Sequence, residues 1–231
     1  MTKTRPGLAA IWAAAAMAAL VVCTAAAQDP LQVSPDHYKL AIDNDWVRVL
    51  RVTAGPHEKL PMHAQPASLI LFLADARVKL TDAAGHAREI TRKAGEVAYS
   101  DAGRFAEENL SDKPLAAVLV ELKPNAPKNS GPPITLDPTK SDPEHVTVEF
   151  ENARVRVLHT VLPPHIKDLM HEHPHYVVVY LTDLHTTMAL ANGKLIDNVR
   201  HPGEIAWRDY MKHSTENMGD RDAVEIQFEL K

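Results

Sequence analysis

The residues of this chain with the clearest potential for chemistry are histidines in its C-terminal half. The five residues from His171 to His175 read His-Glu-His-Pro-His, and His213 follows further along the chain. Residues two apart in a β-strand share a face, so His171 and His173 can point together into the interior of a fold. Two neutral imidazoles joined by a third suit Zn, Fe, Cu or Ni. The spacing predicts a transition-metal site, and a solvated histidine-rich loop is the alternative.

The elements that must position these histidines occur twice in the chain. A shift of 108 positions, which carries Arg48 onto Arg156, aligns residues 35–123 with residues 143–231 without a gap. Identical pairs include Asn44 and Asn152, Pro56 and Pro164, Met62 and Met170, and Gly95 and Gly203. A gapless match of this length indicates a duplication.

Each copy has the pattern of an all-β fold. Its apolar segments are short and rich in β-branched residues, as in Val47–Val52 of the first copy and Val155–Val161 of the second. Turn-forming residues such as Asn192-Gly193 separate these segments. Outside the N-terminus, no segment shows a sustained helical stripe of apolar residues. Many short strands at this spacing predict one sandwich or barrel per copy.

The copies define two predicted domains, residues 33–123 and residues 143–231. The segment between them, residues 124–142, is rich in proline, which predicts a semi-rigid extended linker. The constant register predicts that the two domains superpose. The duplicated surfaces favour a pseudo-symmetric pair of packed barrels over two separate barrels.

Residues 1–27 have the order of a secretory signal peptide. A basic start is followed by an apolar run, and Ala25-Ala26-Ala27 predicts cleavage before Gln28. The expected location of the mature protein is therefore periplasmic or secreted. Processing as a lipoprotein at Cys23, which lies near the end of the apolar run, is the alternative.

Composition argues against several other classes of function. The chain has 25 basic and 30 acidic residues, and removal of Lys3 and Arg5 with the signal takes its net charge from −5 to −7. Such a chain lacks the basic character that nucleic acid binding requires. No segment after the signal is apolar enough to span a bilayer. Since the single cysteine lies in the signal, the mature chain has no disulfide, thiolate ligand or cysteine nucleophile.

The histidines and their neighbouring residues resemble, in their order along the chain, the two signature motifs of the cupin superfamily. The first motif is His171-x-His173, and the second runs from Gly203 to His213 and Asn217. The resemblance covers nearly all of the mature chain, once in each copy, and implies a bicupin with two tandem jelly-roll barrels. It also implies a metal site inside the second barrel, with His171, His173 and His213 as ligands.

The resemblance is incomplete at a ligand that many cupin sites contain. The glutamate of the family would fall at Val177, so this anionic ligand is absent. His175, which shares the alternation of His173, is the candidate fourth ligand, and His165 and Glu172 are further substitutes. Three histidines without the glutamate resemble the iron sites of some cupin dioxygenases. Fe, Zn, Mn, Ni and Cu all stay open as the divalent ion.

The first copy keeps few of these ligand types. Its corresponding positions are His63, Gln65, Leu69 and Phe105. One imidazole and one amide do not make a transition-metal site of ordinary affinity. This copy is therefore expected to be a scaffold, a dimerisation surface or a metal-free pocket.

Two pairs of residues recur in both copies although the ligands do not. Arg48 and Arg156 can either clamp a carboxylate ligand or pair with a nearby acidic residue. His165 has a counterpart, His57, in the first copy, which has lost the other ligands. This favours a structural role for both histidines in a turn.

Two functions fit the predicted site. The first is an exported metalloenzyme, either dioxygenase-like or a lyase or isomerase, that acts on a small oxygenated molecule with Glu172 or a tyrosine as general base. The second is a non-catalytic cupin module that binds a small ligand or serves as a scaffold. The fold does not decide between them, since cupins host both. The expected partners are a small molecule and, in a homo-oligomer, further copies of this chain.

Overall fold

The computed structural model describes residues 29–128 and 131–231, and nearly all of their regular structure is β-strand. The prediction of an all-β fold is confirmed. The predicted signal peptide, residues 1–27, lies outside the described residues. Among the described residues, no helix combines the length and the apolar character needed to cross a membrane.

Both repeats contain one short helix followed by nine strands. The first repeat comprises α1 (Pro30–Val33), β1 (Tyr38–Asp43), β2 (Val47–Ala54), β3 (Lys59–Gln65), β4 (Ser68–Phe72), β5 (Ala76–Asp82), β6 (Ala87–Arg92), β7 (Val97–Ser100), β8 (Gly103–Asn109) and β9 (Leu115–Leu122). The second comprises α2 (Pro138–Ser141), β10 (Val146–Glu151), β11 (Val155–Leu162), β12 (His171–His173), β13 (Tyr176–Tyr180), β14 (Leu184–Leu190), β15 (Leu195–Arg200), β16 (Ile205–Arg208), β17 (Met211–Asn217) and β18 (Ala223–Leu230). Apart from the shortened β12, each element follows its counterpart by the 108 positions of the sequence alignment.

The strands of each repeat form two antiparallel sheets. In the first repeat the strand orders are β1-β2-β9-β4-β7 and β3-β8-β5-β6. In the second repeat they are β10-β11-β18-β13-β16 and β12-β17-β14-β15, so the two repeats have the same topology. The two sheets of each repeat enclose a barrel interior, as in a jelly roll.

The five-stranded sheets bury both of their faces. In β2, Val47 and Val49 contact a core shared with the second repeat, whereas Leu50 and Val52 face the interior of their own barrel. This shared core also contains Phe228 and other apolar residues of the second repeat. The largest apolar core therefore lies between the repeats, which confirms that the barrels pack together. The buried interface explains why the outward-facing positions of these strands are apolar.

The segment predicted to be an extended linker ends in a helical turn. Within residues 124–142, Asp137 caps α2 by accepting a hydrogen bond from the N–H of Thr139. Asp29 caps α1 in the same way, and both caps precede a proline at the first helical position. The two caps therefore also repeat, and they lie upstream of the predicted domain starts at residues 33 and 143.

Candidate metal centre

Two adjacent strands bring the three predicted metal-binding histidines together. β12 pairs with β17 in antiparallel register so that His171 lies opposite His213, and His173 shares the inward face of β12 with His171. The exposed fractions of His171, His173 and His213 are 4%, 0% and 4%. One ring nitrogen from each histidine lies within 4.8 Å of the others. The structure thus forms the cluster that the spacing predicted.

Hydrogen bonds fix which ring nitrogen of the strand β12 histidines is available to an ion. Nδ1 of His171 donates to the carbonyl oxygen of Leu169 at 2.8 Å, and Nδ1 of His173 donates to Oε1 of Glu229 at 2.6 Å. Both oxygens can only accept, so Nε2 of each ring keeps a lone pair. Nε2 of His173 and Nδ1 of His213 are buried without a hydrogen-bond partner in the described part of the chain. Three converging imidazoles with such nitrogens fit a divalent transition-metal ion.

Burial keeps the imidazoles of His171 and His213 neutral, which is the form that binds metal. Burial, followed by the neighbouring His173, lowers the pKa of His171 from 6.5 to about 4. The pKa of His213 is lowered well below its ordinary value, first by burial and then by His173 and His171. Asp168, whose Oδ1 lies 3.8 Å from Nδ1 of His171, has its pKa raised to about 7, chiefly by burial.

The lowered pKa of His171 predicts how the metal-free protein responds to acid. The unfolded chain binds a proton at this position near pH 6.5 and the folded chain only near pH 4, so acidification favours unfolding across this interval. We expect that moving from pH 6.5 to pH 4 costs metal-free wild-type protein about 3 kcal/mol more stability than His171→Gln. Asp168 acts with the opposite sign, and since its pKa is raised chiefly by burial, which His171→Gln preserves, its contribution should be similar in both proteins.

Urea unfolding of both metal-free proteins at several pH values measures this difference. His165→Gln, at an exposed site outside the cluster, is the control and should follow the wild type. Parallel pH profiles for His171→Gln and the wild type would show that His171 has an ordinary pKa.

A buried network of hydrogen bonds orients the ring of His173 through its Nδ1 atom. Nε of Arg156 donates to Oε2 of Glu229 at 2.6 Å, and its NH1 donates to Oδ2 of Asp137 at 2.8 Å. Glu229 thus links the metal candidate His173 to an arginine on the neighbouring strand β11. Carboxylates that accept from ligating histidines orient the ring and raise its basicity.

The first repeat contains the same network without the histidine. Arg48 pairs with Glu121 and with Asp29, as Arg156 does with its two acids. Gln65 replaces the histidine, and its Nε2 donates instead to Oγ of Ser68 at 2.5 Å. Of the two roles predicted for the recurring arginines, pairing with nearby acids is the one observed.

Glu172 is not positioned as a ligand or as a general base for this site. It lies between the two histidines of β12 and points away from them, since neighbouring residues in a strand alternate. Oε2 of Glu172 accepts hydrogen bonds from the N–H groups of Thr135 and Leu136, at 2.7 Å and 3.1 Å. These bonds, the one from Thr135 first, lower the pKa of Glu172 to about 2. Glu172 therefore connects the segment before α2 to the outer side of β12 by hydrogen bonds.

His175, the candidate fourth ligand, lies outside the cluster. β12 ends at His173, so the strand alternation on which the prediction depended does not continue to His175. Its ring contacts Trp46 of the first repeat and Trp207, with centroid distances of 4.7 Å and 5.7 Å. Its Nδ1 accepts a hydrogen bond from the N–H of Tyr210 at 3.2 Å. His175 belongs to the contact between the repeats.

His57 and His165 occupy equivalent exposed turns. Their φ angles are 57° and 60°, in the left-handed region that few residues other than glycine adopt. His57 hydrogen-bonds Asp112 at 2.8 Å, and His165 lies 3.4 Å from Asp220. His165 is therefore placed in a repeated turn and away from the three clustered histidines.

The position assigned to the family's glutamate also faces away from the site. Val177 is fully buried in the core between the repeats, as is its counterpart Leu69. The next residue, Val178, lines the barrel cavity instead. Neither valine offers a ligand atom, which agrees with the sequence-based expectation that the anionic ligand is absent. At the other positions of the first repeat, His63 is buried with Nδ1 bonded to the carbonyl oxygen of Pro61 at 3.1 Å.

The cavity beside the histidines contains polar residues that the sequence analysis did not identify. The space within the second barrel, including its open mouth, amounts to about 600 Å³, and its lining includes Arg208, Tyr180, Glu225, Gln227 and Asn198. A signal for two of them was present in the sequence. Glu225 and Gln227 alternate with apolar residues along β18, so they fall on the inward face of a strand that a simple barrel would fill with apolar side chains.

Comparisons with known proteins agree with this architecture. No protein-family model and no curated protein matches the chain by sequence. AerE from Microcystis aeruginosa has a similar structure, with a TM-score of 0.60 at 13% identity over 84% of this chain and 97% of that chain. A tryptophan-to-tyrosine variant of oxalate decarboxylase from Bacillus subtilis gives a TM-score of 0.57 at 13% identity over 84% of this chain and 75% of that chain.

A shorter match is found with a cupin domain from Bordetella pertussis tohama I, at 27% identity and a TM-score of 0.35 over 37% of this chain and 91% of that chain. The two larger likenesses concern the fold, since both identities are low. They extend over both repeats, whose matching sheets and common register are described above. The chain therefore has a bicupin-like fold.

Proposed function

We propose that the second barrel binds one divalent transition-metal ion through His171, His173 and His213, and that the loaded barrel is an enzyme acting on a small oxygenated molecule. The observation that carries this proposal is the convergence of three buried imidazole nitrogens within 4.8 Å. Two of the ligating rings are oriented by hydrogen bonds at their opposite nitrogen. Mn(II) centres are known in the Bacillus subtilis oxalate decarboxylase, which has a similar fold, so Mn stays a candidate beside Fe, Zn, Ni and Cu.

The residues of the cavity suit the handling of an anionic or oxygen-rich substrate. When bound, a divalent ion would supply Lewis acidity toward an oxygen atom of the substrate. Arg208 faces the cavity and donates to the hydroxyl of Tyr180 at 3.2 Å, so its guanidinium can orient a carboxylate. Burial raises the pKa of Glu225, which lets its carboxyl group hold and return a proton inside the barrel. A dioxygenase-like reaction and a lyase or isomerase reaction both remain compatible with these groups.

A second candidate function is a non-catalytic module that binds a small ligand. It is favoured by the position of Glu172, the residue predicted from the sequence as general base, whose carboxylate is bound to Thr135 and Leu136 outside the cavity. The barrel would then hold the metal and a ligand without turnover. Both versions of the proposal include export to the periplasm or the medium. We expect N-terminal sequencing of the mature protein to show that it begins at Gln28.

Elemental analysis of the purified protein, prepared without added metal, tests the metal site. We expect one transition-metal ion per chain. An oxygen-uptake and product screen on small acids, thiols and phenols then separates enzyme from binding module. Protein with no transition metal, even after incubation with each candidate ion and desalting, would refute the metal site. Metal-loaded protein that binds small acids but never converts one would favour the module.

A further inference from the structure

The interior walls of the two barrels differ sharply in polarity. Ten positions line the cavity in both repeats. In the first repeat nine of these ten residues are apolar and the tenth is Glu107. In the second repeat seven carry polar groups, namely Thr160, Tyr180, Thr186, Asn198, Thr215, Glu225 and Gln227. The common fold does not require this polarity, because the first barrel is built without it.

Two of these polar residues have an acceptor atom that the protein does not use. Gln227 is 4% exposed, and its Nε2 donates to Glu225 at 2.6 Å while its Oε1 has no partner among the described residues. Asn198 is 5% exposed, and its Nδ2 donates to Thr186 at 3.2 Å while its Oδ1 is likewise without a partner within residues 29–128 and 131–231. Amide oxygens can only accept hydrogen bonds. A molecule that complements them must bring O–H or N–H donors.

The same wall contains a guanidinium that is suited to bind an anion. Arg208 lines the cavity and has no salt bridge to a described acidic residue, and the single hydrogen bond found for its side chain goes to Tyr180. It pairs in register with Tyr176, whose ring lies 4.9 Å from the ring of His173. Arg208 therefore stands next to the histidine cluster. A planar guanidinium in this position matches the two oxygens of a carboxylate.

Gln227 lies along the strand that supports the metal candidate. On β18, Gln227 and Glu229 are two residues apart and share the inward face, and Glu229 holds His173. A ligand whose carboxylate lies near Arg208 and the histidines would therefore extend along this face toward Gln227. The acceptor at Gln227 calls for a hydroxyl group near the carboxylate.

We infer that the ligand of the second barrel is a small hydroxy acid, with its carboxylate bound by Arg208 beside the histidine cluster and a hydroxyl donated to Gln227. This inference rests on the proposed function, because the carboxylate is placed between the arginine and a metal-loaded site. The apolar counterpart of Gln227 in the first repeat is Leu119. Replacing a hydrogen-bonding residue with the apolar residue of the other copy therefore gives a matched test.

Calorimetric titration of the metal-loaded protein with glycerate, propanoate and glycerol tests the inference. We expect glycerate to bind at least about 10-fold more tightly than propanoate, which lacks the hydroxyls, and than glycerol, which lacks the carboxylate. Gln227→Leu should abolish most of the preference for glycerate over propanoate, and Arg208→Met most of the preference over glycerol. Asn198→Ile, which takes the residue type of Ile90 in the first repeat, provides an independent variant if Gln227→Leu does not fold.

Metal content measured on the same samples separates this inference from the proposed function. One ion per chain together with equal binding of glycerate and propanoate, or with no binding of any probe at millimolar concentration, would overturn the hydroxy-acid assignment alone. A preference for glycerate that survives in both Gln227→Leu and Asn198→Ile would also overturn it. Wild-type protein that takes up no metal would overturn the proposed function, and the inference would fail with it.

Discussion

Replacing His213 with glutamine is expected to remove most of the bound metal while the barrel stays folded. The imidazole of His213 is one of only three ligand candidates in the described cluster. Losing a direct ligand should weaken metal binding by more than the roughly 100-fold that losing a supporting hydrogen bond can cost. Glutamine preserves the size and polarity of the side chain. Gln65, at a ligand position of the first repeat, shows that the fold accepts this residue type inside a barrel.

Phenylalanine, the residue at the equivalent position of the first repeat, is a poor choice for this experiment. The ring of Phe105 lies so close to Gly103 that a Cβ atom there would approach its Cζ to 2.6 Å. The second repeat has Met211 at that position, so a phenylalanine at 213 in the same rotamer would collide with it. Loss of metal in His213→Phe could then reflect a damaged barrel.

The ratio of metal to protein after dialysis against a weak chelator measures the effect of His213→Gln. His165→Gln is the matched control, because it makes the same substitution at an exposed histidine of the same repeat. Thermal unfolding of the metal-free proteins checks the fold. Equal metal content in His213→Gln and the wild type would contradict the three-histidine site.

Replacing Arg156 with alanine should cost about 3 kcal/mol of stability, since it leaves the carboxylate of Glu229 buried without its cation. The side chains of Arg156 and Glu229 are 12% and 2% exposed, so water cannot take over the role of the guanidinium. The same change should weaken metal binding about 10-fold, because Glu229 then no longer holds the ring of His173 in a fixed orientation.

The duplication supplies the control for this prediction. Arg48→Ala removes the equivalent arginine from Glu121, which is 1% exposed, so it should destabilise the protein to a similar extent. It should leave metal binding unchanged, since the first repeat has Gln65 where the second has His173, and Gln65 donates to Ser68 instead of to Glu121. Urea unfolding of the metal-free variants and competition with a chelator measure the two effects. Equal loss of metal affinity in both variants would indicate that general destabilisation, and not the orientation of His173, is responsible.

Local sequence patterns are sufficient to predict the position of a side chain wherever that position depends on alternation within one strand. The spacing of His171 and His173 predicts that they share a face, and β12 places both in the cluster. The prediction for His175 uses the same alternation but applies it beyond the end of the strand. The sequence comparison did not identify the helical caps at Asp29 and Asp137, because the alignment begins downstream of them. The two Asp-Pro pairs are nevertheless separated by the same 108 positions.

The contacts of Glu172 and Gln227 cannot be inferred from local sequence. Glu172 accepts a hydrogen bond from Thr135 in the segment before α2, and no sequence pattern within β12 predicts that partner. Gln227 can be assigned to an inward face, but its unused oxygen becomes apparent only when the facing strands are in place. Such contacts depend on register and packing between distant segments, which a single strand does not encode.

The sequence by itself determined that this protein is a duplicated all-β fold whose second copy alone contains the closely spaced histidines of the metal-site prediction. These conclusions follow from periodicity and from residue types at fixed spacing, which are local properties of the chain. Only the tertiary structure decided that Arg156 and Glu229 support His173, that His175 belongs to the contact between the repeats, and that one barrel has a polar interior. The physical reason is that burial and hydrogen bonding are properties of neighbours in space, which the packing of two sheets and two barrels brings together.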